Sequence, residues 1–158
     1  MDTRNICSFF GHRDVTVTEE LCARVTEAVR YAVDRLDCRI FYFGGYGDFD
    51  DLCYEIVTKI KENEPSLGIE RIFCVPQERR LYKKDRYYTP EKYEDVIYIA
   101  RPFEGWYKSI YFRNISMIDE SHCVIFYAEA REKSGAYKAY KYAEKKKKEK
   151  HIFNLWKA

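Results

Sequence analysis

Three short glycine-containing segments carry residue types that can grip phosphate and sugar. The first is Gly11-His12-Arg13-Asp14, in which a glycine able to make a tight turn precedes a charged fork suited to phosphate or carboxylate. The second is Gly44-Gly45-Tyr46-Gly47-Asp48, where three glycines in four positions let backbone come close to a ligand. Asp48 or Asp51 would open the helix that follows, as a cap or as an acceptor for a ribose hydroxyl. The third is Ser134-Gly135-Ala136, again at a helix start. One glycine turn is ordinary punctuation, but three at one sheet edge, after the first, second and fifth strands, predict one ligand site. It would comprise Gly11, His12, Arg13, Gly44, Gly45, Gly47, Asp48, Ser134 and Gly135. Structural alternatives stay open: Asp48 and Asp51 also suit the positive end of a helix dipole, and a lone histidine such as His12 is more simply a polar turn residue.

The elements that must position these segments follow from the apolar pattern. Six short runs rich in β-branched and aromatic residues read as buried strands: Ile6 to Phe10, Ile40 to Phe43, Ile72 to Val75, Val96 to Ala100, Cys123 to Tyr127 and Ile152 to Leu155. Between the first two, Leu21, Val25, Ala28, Val29, Ala32, Val33 and Leu36 recur at helical spacing behind Thr18, a natural N-cap. Leu52, Ile56 and Ile60 mark a second helix, closed by Pro65 and Gly68. Ala136, Ala139, Tyr140 and Ala143 mark a third, with the run Lys145 to Lys148 as its solvated far face. The stretch Pro76 to Lys108 interleaves cations with tyrosines and reads as one strand in otherwise loop or short-helical chain. Parallel strands need crossover connections, and alternating helices supply them. The pattern predicts an α/β fold: a doubly wound, mostly parallel sheet of about six strands in a single domain spanning residues 1–158.

With 28 basic and 26 acidic residues among 158, the formal net charge is +2, so no global field drives the chain onto nucleic acid or anionic lipid. The six cysteines are never closer than fifteen positions and sit in apolar runs. They read as reduced, hydrophobic thiols rather than a metal or disulfide framework, which points to the cytoplasm. No signal peptide or membrane-length apolar segment is evident, and neither a metal nor a cofactor is expected.

The order strand, Gly-His-Arg, helix, strand, Gly-Gly-x-Gly-x-x-Asp, helix, then Arg-Asn-x-x-Met, strand, Ser-Gly resembles the SLOG superfamily, which includes DprA and the LOG phosphoribohydrolases. Ile6 to Asp14, Phe41 to Glu55 and Arg113 to Ala143 are most similar to its small stand-alone, YpsA-like branch. The resemblance implies a Rossmann-like fold, often dimeric, that binds a nucleotide-derived ligand, and it adds Arg113 and Asn114 to the ligand-binding set. LOG enzymes carry a glutamate in a later glycine-rich loop. Here Ala139 stands in its place among Tyr137, Lys138 and Tyr140, so that catalytic carboxylate is lacking. The expected role is therefore a sensor or sequestering module for a phosphate-bearing nucleotide or ADP-ribose-like derivative. The alternatives are a nucleotide N-glycosidase, with Arg113 and a carboxylate of the second loop (Asp48, Asp51 or Glu55) as catalytic candidates, or a nucleic-acid-binding module using Arg79 to Tyr93. The tyrosine-rich segment Tyr82 to Tyr111 adds aromatic surface that favours a homodimer.

Overall fold

A computed structural model describes residues 3–45, 47–82, 91–99 and 106–156. Its elements are β1 (Asn5–Gly11), α1 (Glu19–Asp34), β2 (Cys38–Phe43), α2 (Asp48–Asn63), β3 (Glu70–Val75), β4 (Asp95–Tyr98), α3 (Trp106–Glu120), β5 (Cys123–Tyr127), α4 (Gly135–Glu144) and β6 (His151–Asn154), with 3₁₀ turns at Pro65–Leu67 and Glu78–Tyr82. The strands form one sheet in the order β4-β3-β2-β1-β5-β6. Every pairing is parallel. The chain winds outward from β1 through β4 on one side, then returns to place β5 against β1. That reversal is the topological switch point, the place where open α/β sheets leave a crevice at the carboxyl ends of their strands.

Strand alternation divides the core into two layers. Phe9, Phe41, Phe43, Phe73 and Ile125 face α1 and α2, burying Val25, Val29, Phe49 and Val57. Phe10, Ile40, Tyr42, Val124 and Phe126 face the other way, against Met117 and Ile118 of α3 and Ala136, Ala139 and Ala143 of α4. Stacked rings tie neighbouring strands on each face, Phe9 to Phe43 at 5.2 Å and Phe10 to Phe126 at 5.5 Å between centroids. Five of the six cysteines are buried, filling the core as small apolar side chains.

Caps set the helix starts. The Leu21 N–H donates to Thr18 Oγ1 at 3.1 Å, as the sequence predicts. Gly68, in the left-handed region at φ 66°, ends the turn after α2. Two helical segments differ from expectation. The Lys145–Lys148 run is not a face of α4, which stops at Glu144; the chain then tightens, with Lys146 N–H donating to the Ala143 carbonyl at 2.8 Å. Lys146 also pairs with Asp119 at 2.9 Å, pinning this turn to α3. Helix α3 itself stands where the apolar pattern marks no helix. Ala100 of the fourth predicted strand lies outside the described residues. No helix among the described residues is long and apolar enough to cross a membrane.

Candidate functional site

A cleft of about 540 Å³ opens at the switch point, within the size range of small-molecule sites. The end of β1 supplies Phe9, Phe10 and Gly11, and the loop after it His12, Arg13 and Asp14. Gly44 and Asp50 come from the β2–α2 connection, Ile110, Arg113 and Asn114 from α3, and Arg131 with Lys133 to Ala136 from the start of α4. The structure thus brings together Gly11, His12, Arg13, Gly44, Arg113, Asn114, Ser134 and Gly135 of the predicted set. Gly45, Gly47, Asp48 and Asp51 are not among the lining residues, and Tyr46 lies outside the described residues.

The reasons are local. Gly47, at φ 96°, packs against the first loop so tightly that a Cβ there would lie 2.6 Å from Arg13 Cα. Asp48 staples the same two loops: its N–H donates to the Arg13 carbonyl at 2.7 Å and its carboxylate accepts from Val15 N–H at 2.9 Å. Gly45, at φ 80°, would drive a Cβ to 2.1 Å from Phe73 Cε2. The glycines of this loop therefore serve packing and backbone conformation. Gly11, the last residue of β1 rather than a loop residue, likewise lies under the Phe49 ring.

Asp50 closes the Gly-Gly-x-Gly-x-x-Asp motif, yet the predicted site set names its neighbours Asp48 and Asp51 instead. It is buried and lines the cleft. Its Oδ1 accepts the Gly44 N–H at 3.3 Å and its Oδ2 the Gly45 N–H at 3.1 Å. Burial pushes its carboxyl up to about 7, although Arg113 and the two amides pull in the other direction. Across Gly44 lies the buried Arg113, whose Nη1 donates to the Gly44 and Cys74 carbonyls, each at 3.3 Å, while Nε and Nη2 donate to Asn114 Oδ1 at 3.2 and 3.1 Å. The sequence signal for Asp50 is its helical phase: it precedes the buried Cys53 and Val57 by three and seven positions, so a carboxylate stands in an apolar stripe. Asp51, one position on, is exposed, and so is Glu55.

The remaining lining carries three cations, Arg13, Arg131 and Lys133, together with Asp14. Ser134 caps α4, accepting from Tyr137 N–H at 3.2 Å, and the first N–H groups of a helix have no partner within it. Arg13, Arg131 and Lys133 are exposed, Arg131 in a pair with Glu129. His12 ties the loop after β1 to the start of α4. Its Nε2 accepts the Glu129 N–H at 2.7 Å, which assigns the ring proton to Nδ1, 3.4 Å from Ser134 Oγ. Burial, then the Arg131 charge, hold this imidazole below its ordinary pKa. His12 is thus a neutral brace between the β5 loop and the α4 cap as well as part of the wall.

Ala139 is buried against the sheet. Tyr93 is buried too, packed on Phe43, Tyr54 and Phe73, so it presents no face for a nucleic-acid base. Much of Arg79 to Tyr93 and of the tyrosine-rich segment, residues 83–90 and 100–105, lies outside the described residues.

No family model matches the chain, and no curated protein matches it in sequence. Among solved structures it is similar to DNA processing protein A (DprA) from Streptococcus pneumoniae, with a TM-score of 0.61 at 13% identity. The superposition covers 98% of this chain and 51% of the other, so the chain spans about half the length of the protein it matches. The likeness establishes the fold: a Rossmann-like α/β architecture shared with DprA.

Proposed function

We propose that the cleft binds a phosphate-bearing nucleotide or ADP-ribose-like derivative and that the chain acts as a sensor or sequestering module of the SLOG superfamily. The fold shared with DprA and the order of the sequence motifs support the superfamily placement. The observation that carries the binding reading is the polarity of one cleft. The start of α4 with Arg131 and Lys133 lines one part of the cleft, Arg13 stands on the loop after β1, and a buried carboxyl beside a buried guanidinium lines another part. An anionic group is favoured at a helix N-terminus flanked by cations and repelled by Asp50, so a phosphate belongs at the α4 end and the rest of the ligand reaches toward Gly44.

Calorimetric titration with nucleoside 5′-monophosphates, ADP-ribose and the corresponding nucleosides tests this. Binding of one or more phosphorylated compounds, with the parent nucleoside weaker by about tenfold or more, is the expected result. Equal affinity for phosphorylated and unphosphorylated forms would move phosphate out of the site.

One observation favours a second reading, hydrolysis of an N-glycosidic bond. A carboxyl that titrates near neutrality is poised for general acid work, and Asp50 supplies one where the sequence pointed to Asp48 or Asp51. Chromatography of the same titration mixtures for free base distinguishes turnover from retention of the intact ligand.

A further inference from the structure

We propose that Asp50 is the specificity-determining residue of the cleft, accepting a hydrogen bond from a sugar hydroxyl and so selecting ribose-bearing phosphates over their deoxygenated counterparts. This rests on the binding reading above and deepens it.

Three carboxylates stand in the first turn of α2, and the fold gives them different work. Asp48 accepts the Val15 N–H and, like Asp51, is exposed and does not line the cleft. Asp50 alone of the three is 7% exposed and lines the cleft. A carboxylate offers about four lone-pair sites. Among the described residues, the Gly44 and Gly45 amides use two of Asp50's, at distances on the long side for N–H···O bonds. A buried acceptor with capacity to spare gains from another donor, because its surroundings do not replace the water it has lost.

Gly44 fixes what that donor should be. Its N–H goes to Asp50 and its carbonyl to Arg113, and a Cβ on it would lie 3.0 Å from Arg113 Nη2. An acceptor and a donor thus bracket one residue with no side chain. A hydroxyl, which donates and accepts through one oxygen, suits a place where an acceptor and a donor stand side by side, whereas an anion is repelled by the ionised Asp50.

The groups whose charges act with Asp50 are Asp51 and Cys53 on α2, Cys74 on β3, Tyr93 ahead of β4 and Arg113 on α3. Arg113 is the cation among them. A hydroxyl that donates to the ionised carboxyl favours ionisation, so discrimination for the sugar hydroxyl grows as pH rises through about 7.

The test titrates the full chain with the common ribonucleoside 5′-monophosphates and with their 2′,3′-dideoxy counterparts, so that phosphate and base cancel within each pair. A ribonucleotide that binds about tenfold or more tighter than its dideoxy partner is expected, with the ratio falling to within about threefold in Asp50→Asn. In the parent the ratio should also shrink between about pH 8 and about pH 5.5, which carries the test if Asp50→Asn does not fold. Equal binding of both members of a pair, a ratio unchanged in folded Asp50→Asn, or a ratio constant with pH overturns the role of Asp50 and leaves the phosphate site standing. Failure of every compound, ribo and dideoxy alike, overturns the phosphate reading and this one with it.

Discussion

The β2–α2 and β5–α4 connections look alike as sequence, since each joins a strand to a helix through glycine, yet they meet opposite fates in the fold. In the first, the protein occupies its own loop. Asp50 takes the Gly44 and Gly45 amides, Phe73 fills the space beside Gly45, and the Arg13 backbone presses on Gly47. In the second, a Cβ built on Gly135 meets nothing within 4 Å, and the helix start faces the cleft behind a serine cap. A glycine in a strand–helix turn therefore does not by itself mark ligand contact. What distinguishes the two cases is whether a neighbouring side chain has already claimed the amides and the space.

Mutations separate these roles, and the largest effect should come from the filled loop. Gly45→Val forces a branched side chain into the Phe73 ring at a positive φ. Overpacking and the left-handed penalty together predict a loss on the order of 4 kcal/mol, or no folded protein, by urea denaturation. A folded Gly45→Val of parental stability, impaired only in binding, would erase the distinction between the loops.

Next comes the carboxyl that fills that loop. Asp50 is raised from 3.8 to about 7 in the fold, so the unfolded chain ionises first as pH rises. Its contribution is fully favourable below about pH 4 and is lost as pH rises through about 7, a decline on the order of 4 kcal/mol. Stability measured across this window should fall more steeply in the parent than in Asp50→Asn; parallel curves would mean that the carboxyl is better solvated than its position implies.

At the open end, stability and binding should part company. Arg13 is exposed and holds Asp48 through its backbone carbonyl alone, so Arg13→Ala should keep the parental melting temperature while weakening a phosphorylated ligand by roughly tenfold to a hundredfold. Gly135→Ala gives the smallest effect. With open space at Cβ and no positive φ to satisfy, it should raise stability by about 0.5 kcal/mol, measured by the same denaturation.

Much of the architecture was legible because the strands are buried on both faces and therefore read as unbroken apolar runs, and because α1 carries a clean stripe behind the Thr18 cap. Helix α3 was not, for a reason visible in its residues. Tyr111 is exposed while Ser109, Arg113 and Asn114 are buried, so polarity does not track burial there. That inversion is what a site-bearing helix produces, and it hides the helix from periodicity. Arg113 was found through motif order instead. Asp50 stands in the Gly-Gly-x-Gly-x-x-Asp motif, but Asp48 and Asp51 are the carboxylates named from it, and only the phase against Cys53 and Val57 shows that Asp50 is the one that turns inward.

The position of β1 between β2 and β5 has a kinetic side. The contacts that join β1 to the β5 side span much of the chain: at the strand starts the Ile6 N–H donates to His122 Nδ1 across 116 positions, and at the cleft His12 meets Glu129 across 117. Loop-closure entropy must be met before such contacts return any energy, so β1 can form its β2 side early but must wait for β5. Until it does, the wall carrying His12 and the α4 cap cannot meet the wall carrying Asp50. A chain with β1 paired to β2 but not to β5 would have half the sheet and no cleft, so binding competence requires that long-range strand pairing and not collapse alone.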